Sequence, residues 1–113
     1  INFDAGGIIN AYQFIYNSDA SLKDNITTIP NALEHIAKLR GVSFNWKKNG
    51  TPSLGVIAQE VEKVYPELVT IGEDGLKGVH YGNLVAPLIE AVKELKAEND
   101  YLRARVERLE QQK

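Results

Sequence analysis

Ser18 and Lys23 are the one pair in this 113-residue chain whose types and spacing point to covalent chemistry. They lie in the polar, turn-forming run Asn17-Ser18-Asp19-Ala20-Ser21-Leu22-Lys23-Asp24-Asn25. A serine hydroxyl is a poor nucleophile until a base takes its proton, and a lysine serves as that base when burial or neighbours leave its amine neutral. Across a turn, the two side chains can approach to hydrogen-bonding range. The same spacing also fits a solvated turn in which Ser18 or Asp19 caps a nearby backbone group. Spacing alone leaves both readings open. Elsewhere there are no paired carboxylates in an obvious cleft, no phosphate-cradling glycine loop and no metal-ligand spacing. His35 and His80 have no ligand-spaced companions, and a chain without cysteine has neither disulfides nor thiolate metal sites. No metal or cofactor is called for.

The elements that must position this pair follow from the pattern along the chain. With 43% hydrophobic residues, the composition suits one small domain with a modest core. Before the polar run, Tyr12, Phe14 and Tyr16 alternate with Ala11, Gln13 and Ile15, a period of two that predicts a strand. After it, Ile26 to Arg40 predicts a helix with Pro30 in its first turn, an apolar face of Ile29, Leu33, Ile36 and Ala37, and Gly41 as its stop. His35 beside that face reads as structural. Val42, Phe44 and Trp46 share one face of a strand, which makes Trp46 a core residue. Asn49-Gly50 supplies a hairpin turn. Further strands are predicted at Leu54 to Ile57, Leu68 to Ile71 and Leu76 to Tyr81. Between them lies a short helix, Ala58 to Tyr65, with Val61 and Val64 inward and Pro66 as its stop. Gln59 and Glu60 on that helix either cap it or reach toward the polar run. The fold class is α+β: a small antiparallel sheet, two short helices and a long C-terminal helix.

That last helix, from Tyr81 to Lys113, carries a seven-residue repeat. Val85, Val92, Asn99 and Val106 fall at a, and Leu88, Leu95, Leu102 and Leu109 at d. A stripe this long is the pattern of helices that supercoil around one another. Glu98 at g faces Arg103 at the following e, and Arg105 faces Glu110, so a parallel, in-register homo-oligomer gains two attractive pairs. The simpler alternative is one amphipathic helix lying on its own domain. Asn99 at a trades stability for register, and the generic reading of Val at a with Leu at d is two strands. The charge is near balance, 13 basic against 15 acidic residues for a net −2, and no basic block precedes the repeat. A zipper-type nucleic-acid binder is therefore excluded. No apolar run approaches the ~20 residues that span a bilayer. A chain that opens on Ile1 without a signal peptide reads as a piece of something longer.

From Ser18 onward the chain resembles the C-terminal intramolecular chaperone, auto-processing domain of phage tail spikes, tail fibres and neck appendages, of which the endosialidase tail spikes are the best-known members. The resemblance begins with the run Ser18 to Ile26. It continues through Phe44-x-Trp46-Lys47, Gly55-Val56-Ile57-Ala58-Gln59-Glu60-Val61 and Pro66-Glu67-Leu68-Val69. It ends with Val79-x-Tyr81, Leu84 and Leu88-Ile89-x-Ala91. Two positions depart from the common pattern. Ala20-Ser21 stands where a charged residue is frequent, and His80 where an Asp is frequent.

The resemblance implies a homotrimeric domain with a coiled-coil terminal helix. Such a domain helps an upstream β-structured fibre assemble, in the host cytoplasm during virion assembly, and then cuts itself off. The released domain is absent from the mature particle. The implied parts are residues 1–17 as the end of the fibre segment, 18–81 as the auto-processing domain and 82–113 as the coiled coil. By position, the cut falls between Asn17 and Ser18, with Ser18 as nucleophile, Lys23 as base and Asp19 shaping the turn. Gln59 and Glu60 are supporting candidates. The partners are the chain itself and its own upstream fibre domain, with no nucleic acid and no membrane. Two other function classes fit the residues: a non-catalytic trimerisation module that stays attached as a fibre cap, and an adaptor coiled coil for a different protein.

Overall fold

The computed structural model describes residues 2–3 and 7–112. Two-residue strands Asn2–Phe3 (β1) and Ile9–Asn10 (β2) pair antiparallel. From Ala11 to Asp19 the chain enters no strand. This corrects the strand expected from the alternating aromatics. Alternation defines two faces, but a strand also needs a neighbour to take its N–H and C=O groups. Within one chain that neighbour is missing, and Tyr12, Phe14, Ile15 and Tyr16 are all exposed.

The first helix is also shorter than its pattern. It covers Ala32–Ile36 (α1) rather than Ile26 to Arg40. Proline disfavours helical backbone at Ile29 before it. Asn31 then adopts a left-handed conformation, φ 53°, through which a helix cannot run. Past Ile36 the hydrogen bonds tighten to three-residue steps, Lys38 N–H to the His35 carbonyl and Leu39 N–H to the Ile36 carbonyl. The helix has therefore ended before Gly41.

Three two-stranded antiparallel sheets replace the single sheet expected. Val42–Asn45 (β3) pairs with Pro52–Gly55 (β4), Val42 opposite Gly55. Gly50 closes their turn at φ 73°, where a side chain would be strained. Because β3 ends at Asn45, Trp46 falls in that turn. It is 55% exposed, edge-on to Phe44 with ring centroids 5.0 Å apart, and is not a core residue in the single chain. Helix Ala58–Val64 (α2) buries Val61 fully and stops before Pro66. Val69–Ile71 (β5) pairs with Lys77–Val79 (β6). Each strand is two to four residues long and closes onto its sequence neighbour. The motif glycine Gly55, at the end of β4, and the motif tyrosine Tyr81, just after β6, meet directly. The Tyr81 hydroxyl accepts the Val56 N–H at 2.9 Å, and a Cβ on Gly55 would lie 2.5 Å from that oxygen.

A 3-10 turn, Tyr81–Leu84, leads into Val85–Gln111 (α3), 27 residues and about 40 Å long at 1.5 Å rise per residue. Pro87 sits in its first turn, where no N–H is needed. Pro87 and Ala91 are buried, and α3 packs on α1. Among the described residues the buried hydrophobic side chains are Ala32, Val61, Leu68 and Ala91. The a/d stripe is not buried by this packing. Its apolar members range from 45% exposed at Leu88 to 65% at Val92. The α3 residues that are buried, Pro87 and Ala91, lie off the a/d stripe. No helix among the described residues is long and apolar enough to cross a membrane.

The Glu94 carboxylate joins the two packed helices. Its Oε2 accepts the Ala32 N–H at 2.8 Å and the Leu33 N–H at 3.3 Å, so a side chain of α3 caps α1, for which Asn31 provides no side-chain cap. Losing this cap in Glu94→Ala leaves two helix-start donors without their acceptor. The expected cost is about 1–2 kcal/mol of unfolding free energy in a urea titration followed by circular dichroism. Glu94→Gln keeps an acceptor oxygen and is expected to lose less than half as much.

Candidate active site

The Ser18–Lys23 pair is positioned by a single turn. Asp19 is extended, φ −63° and ψ 138°, and caps the 3-10 turn Ala20–Leu22. Its Oδ1 accepts the Ser21 amide at 2.9 Å and the Ser21 hydroxyl at 2.7 Å. The Leu22 N–H reaches the Asp19 carbonyl at 3.0 Å, and the Lys23 N–H reaches the Ala20 carbonyl at 3.1 Å. These bonds reverse the chain and bring Lys23 back beside Ser18. Lys23 Nζ donates to Ser18 Oγ at 2.6 Å. Ser21, a departure from the common pattern, is the residue that engages the Asp19 carboxylate. The bonds from the Ser21 hydroxyl, and then from its amide, hold that carboxyl below its ordinary value of 3.8.

The pair opens onto a cleft of about 800 Å³. One wall is the incoming chain, Tyr16 and Asn17, with Ser18 and Lys23. The second is the end of α2 and the segment after it, Val64 to Leu68. The third is the root of α3, from Gly82 and Asn83 to Pro87. His35 reaches the cleft from α1 and lies edge-on to Tyr65, centroids 5.5 Å apart at 71°. His35 Nδ1 and the Tyr65 hydroxyl are buried and make no hydrogen bond. Burial pushes the Tyr65 phenol up, with the Glu67 and Glu94 carboxylates acting in the same direction.

The structure does not bring the other expected residues here. Arg40 clasps the Glu60 carboxylate in a forked pair, Nε to Oε1 at 2.9 Å and Nη2 to Oε2 at 2.9 Å. That contact holds the Glu60 carboxyl below its usual range. Gln59 is exposed, and neither residue lines the cleft. Of the three supporting candidates, Asp19 alone adjoins the pair. His80 is spent locally: its Nε2 bonds the Thr70 hydroxyl at 2.7 Å, and its N–H donates to the Leu68 carbonyl at 2.8 Å. Sequence reasoning missed Tyr16, Tyr65 and Gly82 as site residues. Tyr16 carried a signal, an aromatic two residues before the serine. Tyr65 and Gly82 carried none, because only the fold brings the end of α2 and the root of α3 to one cleft.

Residues 18–70 match the protein-family model described as chaperone of endosialidase, a match that begins at Ser18 itself. The chain is also similar to long tail fiber protein Gp37 of Enterobacteria phage K3, 37% identical over 99 residues, covering 79% of this chain and 8% of that protein. The Gp37 of Enterobacteria phage T2 is likewise 37% identical over 99 residues, 79% of this chain and 7% of the relative. That of Salmonella phage S16 is 32% identical over 87 residues, 70% and 12%. The chain therefore spans about a tenth of the length of these relatives.

The Asp19 cap gives a pH dependence whose sign follows from its lowered value. The cap stabilises the turn fully above the unfolded aspartate value of ~3.9. It is lost as pH falls through the lower folded value. In an NMR titration the Ser21 amide is expected to move with a midpoint below 3.8. Asp19→Ala is expected to abolish that titration.

Proposed function

We propose, from the match of residues 18–70 to the chaperone-of-endosialidase family, that this chain is a self-releasing assembly domain of a phage tail fibre. In this reading three copies join along α3 and align the fibre segments that precede them. Each chain then cuts once between Asn17 and Ser18. The observation that carries the reading is the 2.6 Å contact between Lys23 Nζ and Ser18 Oγ, at the mouth of a cleft that also holds Asn17.

The chemistry requires only groups in this cleft and one water. A neutral Lys23 amine takes the Ser18 hydroxyl proton as Oγ attacks the Asn17 carbonyl carbon. The tetrahedral intermediate collapses by breaking the Asn17–Ser18 C–N bond, and the proton passes from Lys23 to the departing Ser18 amine. The acyl group now sits on Oγ as an ester. Water hydrolyses that ester, freeing an Asn17 carboxylate upstream and an intact serine hydroxyl downstream. Lys23 returns to its starting state. Holding the attacking oxygen against its own preceding carbonyl is a matter of position, and small displacements cost large factors in rate.

Assembly enters through α3. Seven apolar seam residues, Val85, Leu88, Val92, Leu95, Leu102, Val106 and Leu109, stand open in the single chain. Burying the exposed part of each contributes on the order of 1 kcal/mol per chain. Glu98–Arg103 and Arg105–Glu110 pairs between neighbours set a parallel register. The family premise favours three strands over the two that Val at a with Leu at d suggests. Because Val85 and the root of α3 also line the cleft, the seam and the cutting site share one rigid element.

A denaturing gel of the whole chain, expressed and incubated under assembling conditions, tests the reaction. The expected result is loss of the upstream piece, with a product that begins Ser18-Asp19-Ala20 on N-terminal sequencing. Ser18→Ala and Lys23→Ala are each expected to slow cleavage at least about a thousandfold. A full-length parent chain would leave only a passive cap. For the coupling to assembly, Leu95→Asp with Leu102→Asp is expected to give a monomer by sedimentation that no longer cuts, although Ser18 and Lys23 are untouched. A monomer that cuts at the parent rate would refute the coupling.

A further inference from the structure

We infer that Gly82 is a positioning residue: the missing side chain leaves a notch that receives the Tyr16 ring and so holds the Asn17–Ser18 peptide against Lys23. This inference rests on the proposed self-cleavage for its consequence, and on geometry alone for the notch. A Cβ built on Gly82 would lie 2.7 Å from Tyr16 Cε2, 2.7 Å from the Tyr16 hydroxyl oxygen and 3.1 Å from Cζ. Those separations are below van der Waals contact, so the ring occupies space that any other residue at position 82 would fill. The backbone at Gly82 is not in the left-handed region, so the glycine is not needed for its conformation. It lies in the turn Tyr81–Leu84, where alanine is the better helix former. What only glycine supplies there is room.

The place of the contact gives it meaning. Tyr16 is two residues before the serine, on the piece that is to leave, and it belongs to no strand or helix. The ring is 66% exposed, so the notch holds one edge and leaves the rest open. Among the described residues of this arm, Tyr12 is fully exposed and Ile15 84% exposed. Tyr16 thus links the exposed arm to the root of α3. Moving that root, or filling the notch, displaces the carbonyl that Ser18 must attack.

The contact and its consequence are tested separately. In the Ser18→Ala chain, which cannot cut itself, an NMR spectrum with labelled tyrosine is expected to show a nuclear Overhauser effect between the Tyr16 ring and the Gly82 α-protons. Absence of that effect would overturn the notch. In the cutting chain, Gly82→Ala is expected to slow cleavage about 10-fold to 100-fold. Its thermal melt and sedimentation are expected to match the parent, since the backbone tolerates alanine. Tyr16→Ala is expected to slow cleavage by a similar factor, and the double substitution to be no slower than Tyr16→Ala alone. Full additivity, or a Gly82→Ala chain that cuts at the parent rate, would overturn the positioning role. If the parent chain never cuts while the Overhauser effect is present, the self-cleavage reading falls and the notch stands as a docking contact for the arm.

Discussion

Ala91 and Glu94, one turn apart on the same side of α3, set the geometry on which the rest of the structure depends. Ala91 is 4% exposed and brings the two helices close, and Glu94 reaches from α3 to the first N–H groups of α1. Small residues at a helix contact allow close approach, and an acidic side chain at a helix start satisfies donors the helix cannot satisfy itself. Together they orient α3 so that its root, from Gly82 to Pro87, forms one wall of the cleft. The same orientation leaves the apolar a/d residues beyond the root about half exposed or more. Packing within the chain therefore decides both what the cleft contains and which residues of α3 stay exposed.

The chain buries little on its own. Among the described residues the buried side chains are few and mostly small, while large apolar residues along α3 and the incoming arm remain in water. Exposed apolar stripes of this extent mark interaction surfaces. This imbalance fits a module whose stability is completed by assembly rather than by a larger core. It also leaves the Ser18–Lys23 pair in an open cleft. Ser18 and Lys23 are exposed in the single chain, where water competes for both polar groups. Neighbouring copies would change solvent access there without any change in the turn that brings the two side chains together.

The cut, as proposed, is intramolecular in the strictest sense, since nucleophile and electrophile are consecutive residues. Such a reaction needs no binding of an outside substrate. It needs a fixed backbone and a poised base. The Asp19–Ser21 cap fixes the turn on the retained side, and the Tyr16–Gly82 contact holds the departing side. The scissile peptide lies between two anchors on different elements, one local in sequence and one spanning more than sixty residues.

Local chemistry was legible in the residues themselves. The turn after Ser18, the stop of α2 at Pro66, the hairpin at Asn49-Gly50 and the seven-residue repeat of α3 all follow from neighbours within a turn or two, and the structure contains each of them. Interactions that close over a few residues depend on the types of those residues and little else. The expectations that failed were those needing a partner from elsewhere. The aromatic alternation at Tyr12 to Tyr16 described a strand with nothing to pair with. The single sheet became three hairpins because each strand pairs only with its sequence neighbour, and Trp46 fell one residue past the end of β3. The sequence by itself determined the turn that sets Lys23 beside Ser18, and the apolar stripe. Only the tertiary structure decided that Gly82 faces Tyr16, that Glu94 caps α1 and that Glu60 belongs to Arg40, because contacts between distant segments depend on how whole elements pack, and no short-range pattern records that.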